Sequence, residues 1–264
     1  MKTDNTLNQL FAKKKKDFLS LFCTVEYPEN GSTETLLKHL SATEVDMIEL
    51  GIPFSDPVAD GSTIQEANNI ALSNGANLNQ VFESLSKFDL ENKPPILLMG
   101  YLNPFLQYGI EKLCKDGQKT GVAGLIIPDL PPEIYELKYQ YLAEKHNIHF
   151  IHLISPSSSL ERIRMIDELS SGFIYAVSSN STTGNNGKGN NEEFLKRIQS
   201  LQLKNKIIIG FNIRTNDDFK RACHYGNGAI IGSQFIRHLR DKGLTQTSVD
   251  QFVTSIKHAQ KTTV

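Results

Sequence analysis

Residues 45–64, VDMIELGIPFSDPVADGSTI, join a short apolar run to a polar loop and then to the beginning of a helical pattern. Seven other short runs rich in Ile, Leu and Val also precede helical patterns, which is typical of βα units with a parallel sheet. The eight predicted strands are Leu19–Thr24, Asp46–Gly51, Pro95–Tyr101, Val122–Pro128, Ile148–Ile154, Phe173–Ser178, Lys206–Phe211 and Gly228–Gly232. Eight such units predict an α/β fold, a single-domain (β/α)8 TIM barrel over residues 1–264, with an additional N-terminal helix near Asn5–Lys16.

An open, doubly wound sheet is the alternative fold, because it also alternates strands and helices. No GxGxxG motif follows the first strand. In both folds a ligand lies at the carboxyl ends of the strands, so the residues that follow each strand are the ones that predict a site.

The composition indicates a protein that acts on a small molecule. The formal net charge is −1 and 39% of the 264 residues are apolar, which does not suggest nucleic acid or a membrane surface as a partner. Cys23, Cys114 and Cys223 are too few and too far apart for a disulfide framework or a zinc site. No signal-peptide pattern and no run of about 18 apolar residues occurs. We therefore expect a cytoplasmic protein.

Glu49 is the first candidate for catalysis. Because side chains alternate along a strand, Glu49 shares one face with Val45 and Met47, while Ile48 and Leu50 face the helices. Its carboxyl group then lies inside the barrel mouth, where burial raises the pKa toward the range of a general acid. A structural glutamate that binds loop amides fits the same pattern, and the residues alone leave both roles open.

The loop Ile52–Ile64 carries two further carboxylates, Asp56 and Asp60, over the predicted barrel mouth. Asp56 follows a serine and precedes a proline, where an aspartate commonly fixes a turn, and we expect that role. Asp60 has a similar setting, so a turn role and a contact with the substrate are both open. A metal site formed by these two residues and Glu49 lacks a supporting histidine and is not expected.

A phosphate site is predicted where the seventh and eighth strands end, near Gly210, Gly232 and Ser233. Barrels commonly bind phosphate between the loops after these strands, because small residues let backbone N–H groups and a helix N-terminus approach the oxygens. Glycines that only permit sharp turns are the alternative.

The segment Ser178–Asn190, SSNSTTGNNGKGN, follows the sixth strand and is too polar and glycine-rich to bury apolar surface. We interpret it as an active-site lid in which Thr183 and Gly184 contact the ligand. A passive linker has the same composition.

Three histidines, His146, His149 and His152, lie close together at the predicted fifth strand. Alternation sends His149 and His152 to opposite faces, so we expect ordinary strand and core residues rather than metal ligands. The chain also shows no pyridoxal lysine motif and no dinucleotide fingerprint. No cofactor is therefore expected in this chain.

Residues 47–65, MIELGIPFSDPVADGSTIQ, closely resemble the signature of tryptophan synthase alpha chains. The resemblance continues in order through LLMGYLNPFLQYGI, LIIPDLPP, the Tyr175 strand followed by Thr183 and Gly184, IIIGF and AIIGS. It implies a barrel that cleaves indole-3-glycerol phosphate to indole and glyceraldehyde 3-phosphate in tryptophan biosynthesis, by a retro-aldol reaction. It also implies a beta chain partner that holds pyridoxal phosphate and receives the indole, within an alpha2-beta2 heterotetramer.

The same resemblance implies a role for each matching residue. Glu49 matches the family's acid–base carboxylate, and Asp60 matches the residue that holds the indole N–H and steadies positive charge on the ring. The other matches surround the indole at Met99, Tyr175, Thr183 and Phe211, or contact the phosphate at Gly184, Asn212, Gly232 and Ser233.

The chain departs from the family's pattern at Glu26, Ser62, Ser179, Ser181 and Asn212. The family usually has Gly at positions 26, 181 and 212, Pro at 62 and a basic residue at 179. Position 212 matters most, because a backbone N–H approaches the phosphate there, although Asn tolerates positive φ better than most residues. Position 26 gains a negative charge near the end of the first strand. These departures leave open a weakly catalytic regulatory subunit that binds the phosphate ligand and activates the beta chain.

A stand-alone lyase that releases free indole is a further alternative. The segment Gly100–Gly109 argues against it, because Leu102, Pro104, Phe105 and Tyr108 give it more apolar character than a free loop needs. We therefore expect a partner at the active-site end.

Overall fold

The computed structural model of the chain describes residues 5–88, 93–177, 187–210 and 212–258. Its eight strands are β1 (Phe18–Thr24), β2 (Met47–Gly51), β3 (Ile96–Met99), β4 (Val122–Ile126), β5 (His149–Ile154), β6 (Phe173–Ala176), β7 (Lys206–Ile209) and β8 (Gly228–Ile231). All are parallel and hydrogen bonded in sequence order, and β1 pairs with β8, so the sheet closes on itself. The predicted barrel is confirmed, and the open-sheet alternative is wrong.

Helices surround the closed sheet, and α1 precedes the first strand as predicted. They are α1 (Thr6–Lys13), α2 (Ser32–Ser41), α3 (Ser62–Ser73), α4 (Leu78–Lys87), α5 (Leu102–Tyr108), α6 (Ile110–Lys119), α7 (Pro132–Lys138), α8 (Gln140–His146), α9 (Leu160–Leu169), α10 (Gly187–Ser200), α11 (Asn216–Tyr225), α12 (Ser233–Lys242) and α13 (Gln246–Lys257). No described helix has the length and apolar character needed to cross a membrane.

Five strands, β3, β4, β6, β7 and β8, end one or two residues earlier than predicted, and two of these ends have a local cause. β3 stops before Tyr101 because that residue is already the N-cap of α5. β4 stops before Pro128, whose nitrogen carries no hydrogen for the ladder. The chain therefore leaves the sheet at these points and forms the wall of the barrel mouth.

The helix α1 closes the amino-terminal end of the barrel. The side chain of Asn5 accepts a hydrogen bond from the backbone N–H of Leu7, which is the usual way to begin a helix. Its amide nitrogen donates to the carbonyl oxygens of Ala123 at 2.9 Å and Asn147 at 2.8 Å. These bonds fasten the start of α1 to β4 and to the turn before β5.

Asp46 is the main polar contact at the same end. Its carboxylate accepts hydrogen bonds from the backbone N–H of Leu19 at 2.9 Å and from the ammonium groups of Lys14 at 2.7 Å and Lys257 at 2.9 Å. The side chains of Asp46 and Lys257 are only 11% and 13% exposed. One carboxylate therefore joins both ends of the chain to the sheet in a poorly solvated place.

We predict that Asp46→Ala lowers the free energy of unfolding by about 3 kcal/mol, because it leaves a nearly buried ammonium group without its partner. Urea unfolding followed by circular dichroism measures the loss. Glu83→Ala is the matched control, since Glu83 pairs with Lys87 where both side chains are more than half exposed, and its midpoint should stay at the wild-type value. Equal midpoints for wild type and Asp46→Ala would contradict the prediction.

Candidate active site

A cavity of about 330 Å³ opens at the carboxyl ends of the strands. Residues from the loops after β2, β4, β6, β7 and β8 line it, together with side chains from the strands. Six of the residues predicted from the sequence are among them, namely Asp60, Met99, Tyr175, Asn212, Gly232 and Ser233. The structure therefore brings together side chains that are far apart in sequence, at the end of the barrel where a ligand was expected.

Glu49 lies inside the barrel and is 0% exposed, as alternation along β2 predicts. Its Oε1 atom accepts a hydrogen bond from the hydroxyl of Ser20 at 2.8 Å, whereas Oε2 is buried with no partner among the described residues. Burial raises the pKa of the Glu49 carboxyl to about 7, against the opposing effect of the Ser20 hydrogen bond. A buried carboxyl group in this state can give or take a proton near neutral pH.

Glu49 lies behind the surface of the cavity and is not among the described residues that line it. Tyr175, which is on the lining, connects it electrostatically to Asp60. Burial holds the pKa of the Tyr175 phenol well above its ordinary value, and the negative charges of Glu49 and Asp60 add to this effect. Both carboxyl groups therefore act on one phenol that lines the cavity.

Asp60 is half-buried at the cavity wall, and the first turns of α3 hold it there. The side-chain amide of Asn68 donates to its Oδ2 atom at 3.3 Å, and that of Gln65 donates to its carbonyl oxygen at 2.8 Å. Burial raises the pKa of the Asp60 carboxyl, whereas hydrogen bonds from the side chains of Asn68 and Tyr101 lower it. The two acidic groups of the site thus have different surroundings.

Tyr101 was not predicted as a site residue, although it orders the same loop. Its hydroxyl accepts a hydrogen bond from the backbone N–H of Ala59 at 3.0 Å. Burial, the foremost of several influences, raises the pKa of this phenol to about 12. A tyrosine two residues after a strand offers no sign in the sequence that it will reach a loop 42 residues away.

The phosphate candidates lie together at another part of the lining. Ser233 is the first residue of α12, and no side chain caps the helix at Gly232. Asn212 has φ +51°, so the expectation that Asn accommodates a conformation suited to Gly is confirmed. This region offers backbone N–H groups and a hydroxyl with no protein cap, which suits an anion.

The alternative explanation, in which Gly210 and Gly232 only permit sharp turns, is wrong. Neither Gly210 nor Gly232 has positive φ. Gly210 instead makes room for Tyr175, because a Cβ atom there would lie 2.0 Å from the ring. Gly210 therefore determines where the phenol stands in the site.

Two arginines on the lining, Arg214 and Arg237, were not predicted. Arg237 lies on α12 four residues after Ser233, so both project from the same helix face. This four-residue spacing is the sequence signal from which Arg237 could have been predicted. Both bring positive charge to the phosphate end of the cavity.

Some predicted positions lie outside the described residues. These are Phe211, Thr183, Gly184, Ser179 and Ser181, with most of the predicted lid. Only the last four lid positions, residues 187–190, are described, as the beginning of α10.

Glu26 does not place its charge against the ligand. It has φ +55°, a conformation in which the family's Gly is the usual choice. Its carboxylate is buried and accepts hydrogen bonds from the backbone N–H of Gly31 and, at 2.6 Å, from the hydroxyl of Thr33. Glu26 therefore caps the start of α2. Ser62 is the first residue of α3, a position that accepts both Ser and Pro.

The structure also bears on three further expectations, which concern Asp56, a metal site and the histidines of the fifth strand. Asp56 is exposed and bonds to the hydroxyl of its neighbour Ser55, in accord with a local turn role. Within the described part of the chain, no group of three His, Cys, Asp or Glu residues could hold a metal ion. His149 and His152 lie in different surroundings, the first bonded to Asn8 and the second buried against Tyr135.

The apolar side chains of residues 100–109 were expected to indicate a partner, and for part of the segment this interpretation is wrong. The segment forms α5, and Phe105 is 0% exposed and packs against Gly100 in the core. Tyr108 packs against Phe82, and only Leu106 presents a large apolar side chain that is about half exposed, at 49%. Core packing therefore accounts for much of the apolar character that had indicated a partner.

The family model that matches this chain and the proteins that resemble it agree on one family. The family model described as tryptophan synthase alpha chain matches residues 7–263. The alpha chain of Christiangramia forsetii is 46% identical over 96% of this chain and 98% of its own length, and that of Flavobacterium psychrophilum is 46% identical over 96% and 99%.

Solved structures agree in fold as well as in sequence. Tryptophan synthase subunit alpha from Legionella pneumophila has a TM-score of 0.82 at 31% identity, covering 96% of this chain and 95% of its own. A chain of aminoacrylate-bound tryptophan synthase from M. tuberculosis has a TM-score of 0.84 at 25% identity, covering 96% and 98%. The chain therefore belongs to the tryptophan synthase alpha chain family.

Proposed function

We propose that Glu49 and Asp60 carry out the lyase reaction of this family, the cleavage of indole-3-glycerol phosphate to indole and glyceraldehyde 3-phosphate. The observation that carries this assignment is that two carboxyl groups, one fully buried and one at the cavity wall, both act electrostatically on Tyr175, while the uncapped start of α12 lines the same cavity. A phosphorylated indole derivative has a polar end and a flat apolar end, which match the two parts of this cavity.

Glu49 transfers protons in the proposed reaction. The indole carbon that bears the glycerol chain gains a proton, and the hydroxyl group next to the breaking C–C bond loses one. The electron pair of that bond returns to the ring, so indole and an aldehyde leave. A carboxyl group whose pKa is about 7 is present in both protonation states at neutral pH, and its unpartnered Oε2 atom is free for the exchange.

Asp60 stabilises the positive charge that develops when the ring is protonated. An ionised carboxylate beside the indole N–H opposes that charge most strongly in a site that excludes water. Asn68 and Gln65 fix its position, so little reorganisation is needed during the reaction. The proposal thus gives proton transfer to the buried carboxyl group and electrostatic stabilisation to the one at the cavity wall.

The phosphate is held by backbone N–H groups near Asn212 and Gly232, together with the Ser233 hydroxyl. These residues line the cavity, and α12 begins there with no side-chain cap. Met99, also on the lining, supplies apolar surface for the ring. Phe211, Thr183 and Gly184 remain substrate contacts in the proposal on the family resemblance alone.

Membership of the family implies a beta chain partner. We extend this to an alpha2-beta2 assembly in the cytoplasm, in which pyridoxal phosphate belongs to the beta chain and this chain needs no cofactor. The regulatory alternative loses much of its support, since Glu26 is a helix cap and Asn212 adopts the conformation required of Gly.

We predict that Glu49→Gln lowers kcat for indole release by about 10⁴-fold, the upper end for acid–base catalysis, because one group serves both proton transfers. Asp60→Asn should lower it by about 10²-fold, because the amide keeps the shape but loses the charge. Steady-state assays with indole-3-glycerol phosphate measure both. Glu44→Gln, an exposed carboxylate that precedes β2, is the control. Near-normal turnover of Glu49→Gln would remove Glu49 from catalysis.

A second prediction concerns folding stability and pH. The Glu49 pKa is about 7 in the folded chain against an ordinary 4.5. Between these values the folded state keeps a proton that the unfolded state has lost, so stability falls as pH rises through this window. Glu49→Gln removes the titration, and we expect its stability relative to wild type to increase by roughly 3 kcal/mol from pH 4 to pH 8.

Urea unfolding of both proteins at several pH values tests this second prediction. Their difference in stability isolates Glu49, because all other groups titrate equally in the two chains. Glu83→Gln, an exposed carboxylate on α4, should show no such trend. A pH-independent difference between wild type and Glu49→Gln would mean that the carboxyl group is ionised at an ordinary pKa.

A third prediction distinguishes the lyase from its alternatives. We expect this chain to release indole slowly alone and about 10-fold faster or more when a cognate beta chain is added, as partner binding favours the closed site. Equal rates in both samples would indicate a stand-alone lyase. No release in either sample, with activation of the beta chain, would indicate a regulatory subunit.

A further inference from the structure

The cavity contains a positive charge that has no role in the proposed reaction. Arg237 lines it, and its guanidinium is only partly buried by the rest of α12 and by the start of α3. One N–H group donates to the hydroxyl of Thr63 at 3.0 Å and another donates to the side-chain oxygen of Gln234 at 3.0 Å. Both acceptors are neutral, so the charge is held in place but not balanced.

Two acidic residues on α3 and α12 do not balance this charge. Glu66 and Asp241 pair with Arg240 instead, one helical turn further along α12. Within the described part of the chain, Arg237 takes part in no salt bridge. A guanidinium on a cavity wall that has no counter-charge among the described residues is well placed to bind an anionic ligand.

The position of Arg237 suits a phosphate in particular. It follows Ser233 by four residues on one face of α12, so its side chain lies along the helix start where the phosphate is proposed to bind. A guanidinium has five N–H groups, and two of those of Arg237 donate to described residues. The remaining donors can bind a phosphate oxygen through a charge-assisted hydrogen bond.

The charge of the phosphate itself is a reason for a cation at this end of the cavity. Backbone N–H groups alone leave much of the charge of a phosphate dianion unbalanced. A second arginine, Arg214, also lines the cavity, but it is exposed and its charge is more strongly screened by water.

We propose that Arg237 is a specificity-determining residue that selects phosphorylated ligands by binding the phosphate group directly. The inference rests on the proposed function for the identity of the substrate. The binding test for Arg237 does not depend on turnover, so the proposed function and this inference can fail separately.

Titration calorimetry of the full chain with glycerol 3-phosphate tests the proposal. We expect Arg237→Gln to weaken the affinity by about 10- to 100-fold, the range for loss of a charge-assisted hydrogen bond. Arg237→Lys should restore part of the affinity, since lysine keeps the positive charge but lacks the planar arrangement of N–H donors of a guanidinium. Affinity for indole, a neutral ligand, should be unchanged in both variants.

Two further variants separate phosphate binding from a merely structural role. Thr63→Val removes the hydrogen bond that ties Arg237 to α3 but keeps the charge, and we expect affinity within about threefold of wild type. Arg240→Gln removes a charge from the same helix away from the cavity lining and should bind glycerol 3-phosphate normally. If Thr63→Val or Arg240→Gln weakens binding as much as Arg237→Gln, or if Arg237→Gln binds normally, the proposal is wrong.

Kinetics with indole-3-glycerol phosphate and the beta chain provide an independent measurement. Arg237→Gln should raise KM by a factor similar to its loss of glycerol 3-phosphate affinity, because the phosphate lies far from the breaking bond. A loss confined to kcat would contradict direct phosphate binding. If wild type binds glycerol 3-phosphate through Arg237 but does not cleave the substrate, the proposed function fails while this inference stands.

Discussion

Closure of the sheet depends on how closely β8 approaches β1 at Gly228. A Cβ atom at this position would lie 2.2 Å from the carbonyl oxygen of Phe18, so any side chain would push the two strands apart. With the strands in contact, Phe18 pairs with Gly228 and Leu21 pairs with Ile231. A closed barrel has no free edge, and its eight carboxyl ends converge on one opening. The site can form only because the sheet closes in this way.

The closed barrel also sets the electrostatics of the site. Glu49 points into an interior without water, where the ionised form costs more than the protonated one. Asp60 lies in a loop at the wall, where the side-chain amide of Asn68 stabilises its charge. The hydrogen bond from Ser20 opposes the effect of burial on the Glu49 pKa but does not cancel it. One barrel thereby gives the same functional group two different roles.

The sequence predicts those features that depend on local geometry. All eight strands are predicted in order, and the burial of Glu49 follows from the two-residue period of a strand. Tertiary contacts explain the failures. Phe105 is in the core, because packing decides which way an apolar helix residue faces. Glu26 finds its partner at Gly31 across a turn, and Arg237 reaches the cavity because α12 packs beside it, which the spacing from Ser233 suggests but does not establish.

The two ends of the cavity are physically connected, which bears on how substrate binding relates to catalysis. Arg237 bonds to Thr63 in the first turn of α3, and the same helix holds Asp60 through Gln65 and Asn68. A phosphate that orders Arg237 would therefore also restrain the start of α3, and with it the carboxylate of Asp60. Binding energy from a remote, unreactive group is then used to position a group that acts in the transition state. On this argument a substrate without phosphate loses turnover as well as affinity, because Asp60 is held less firmly when the other end of the cavity is empty.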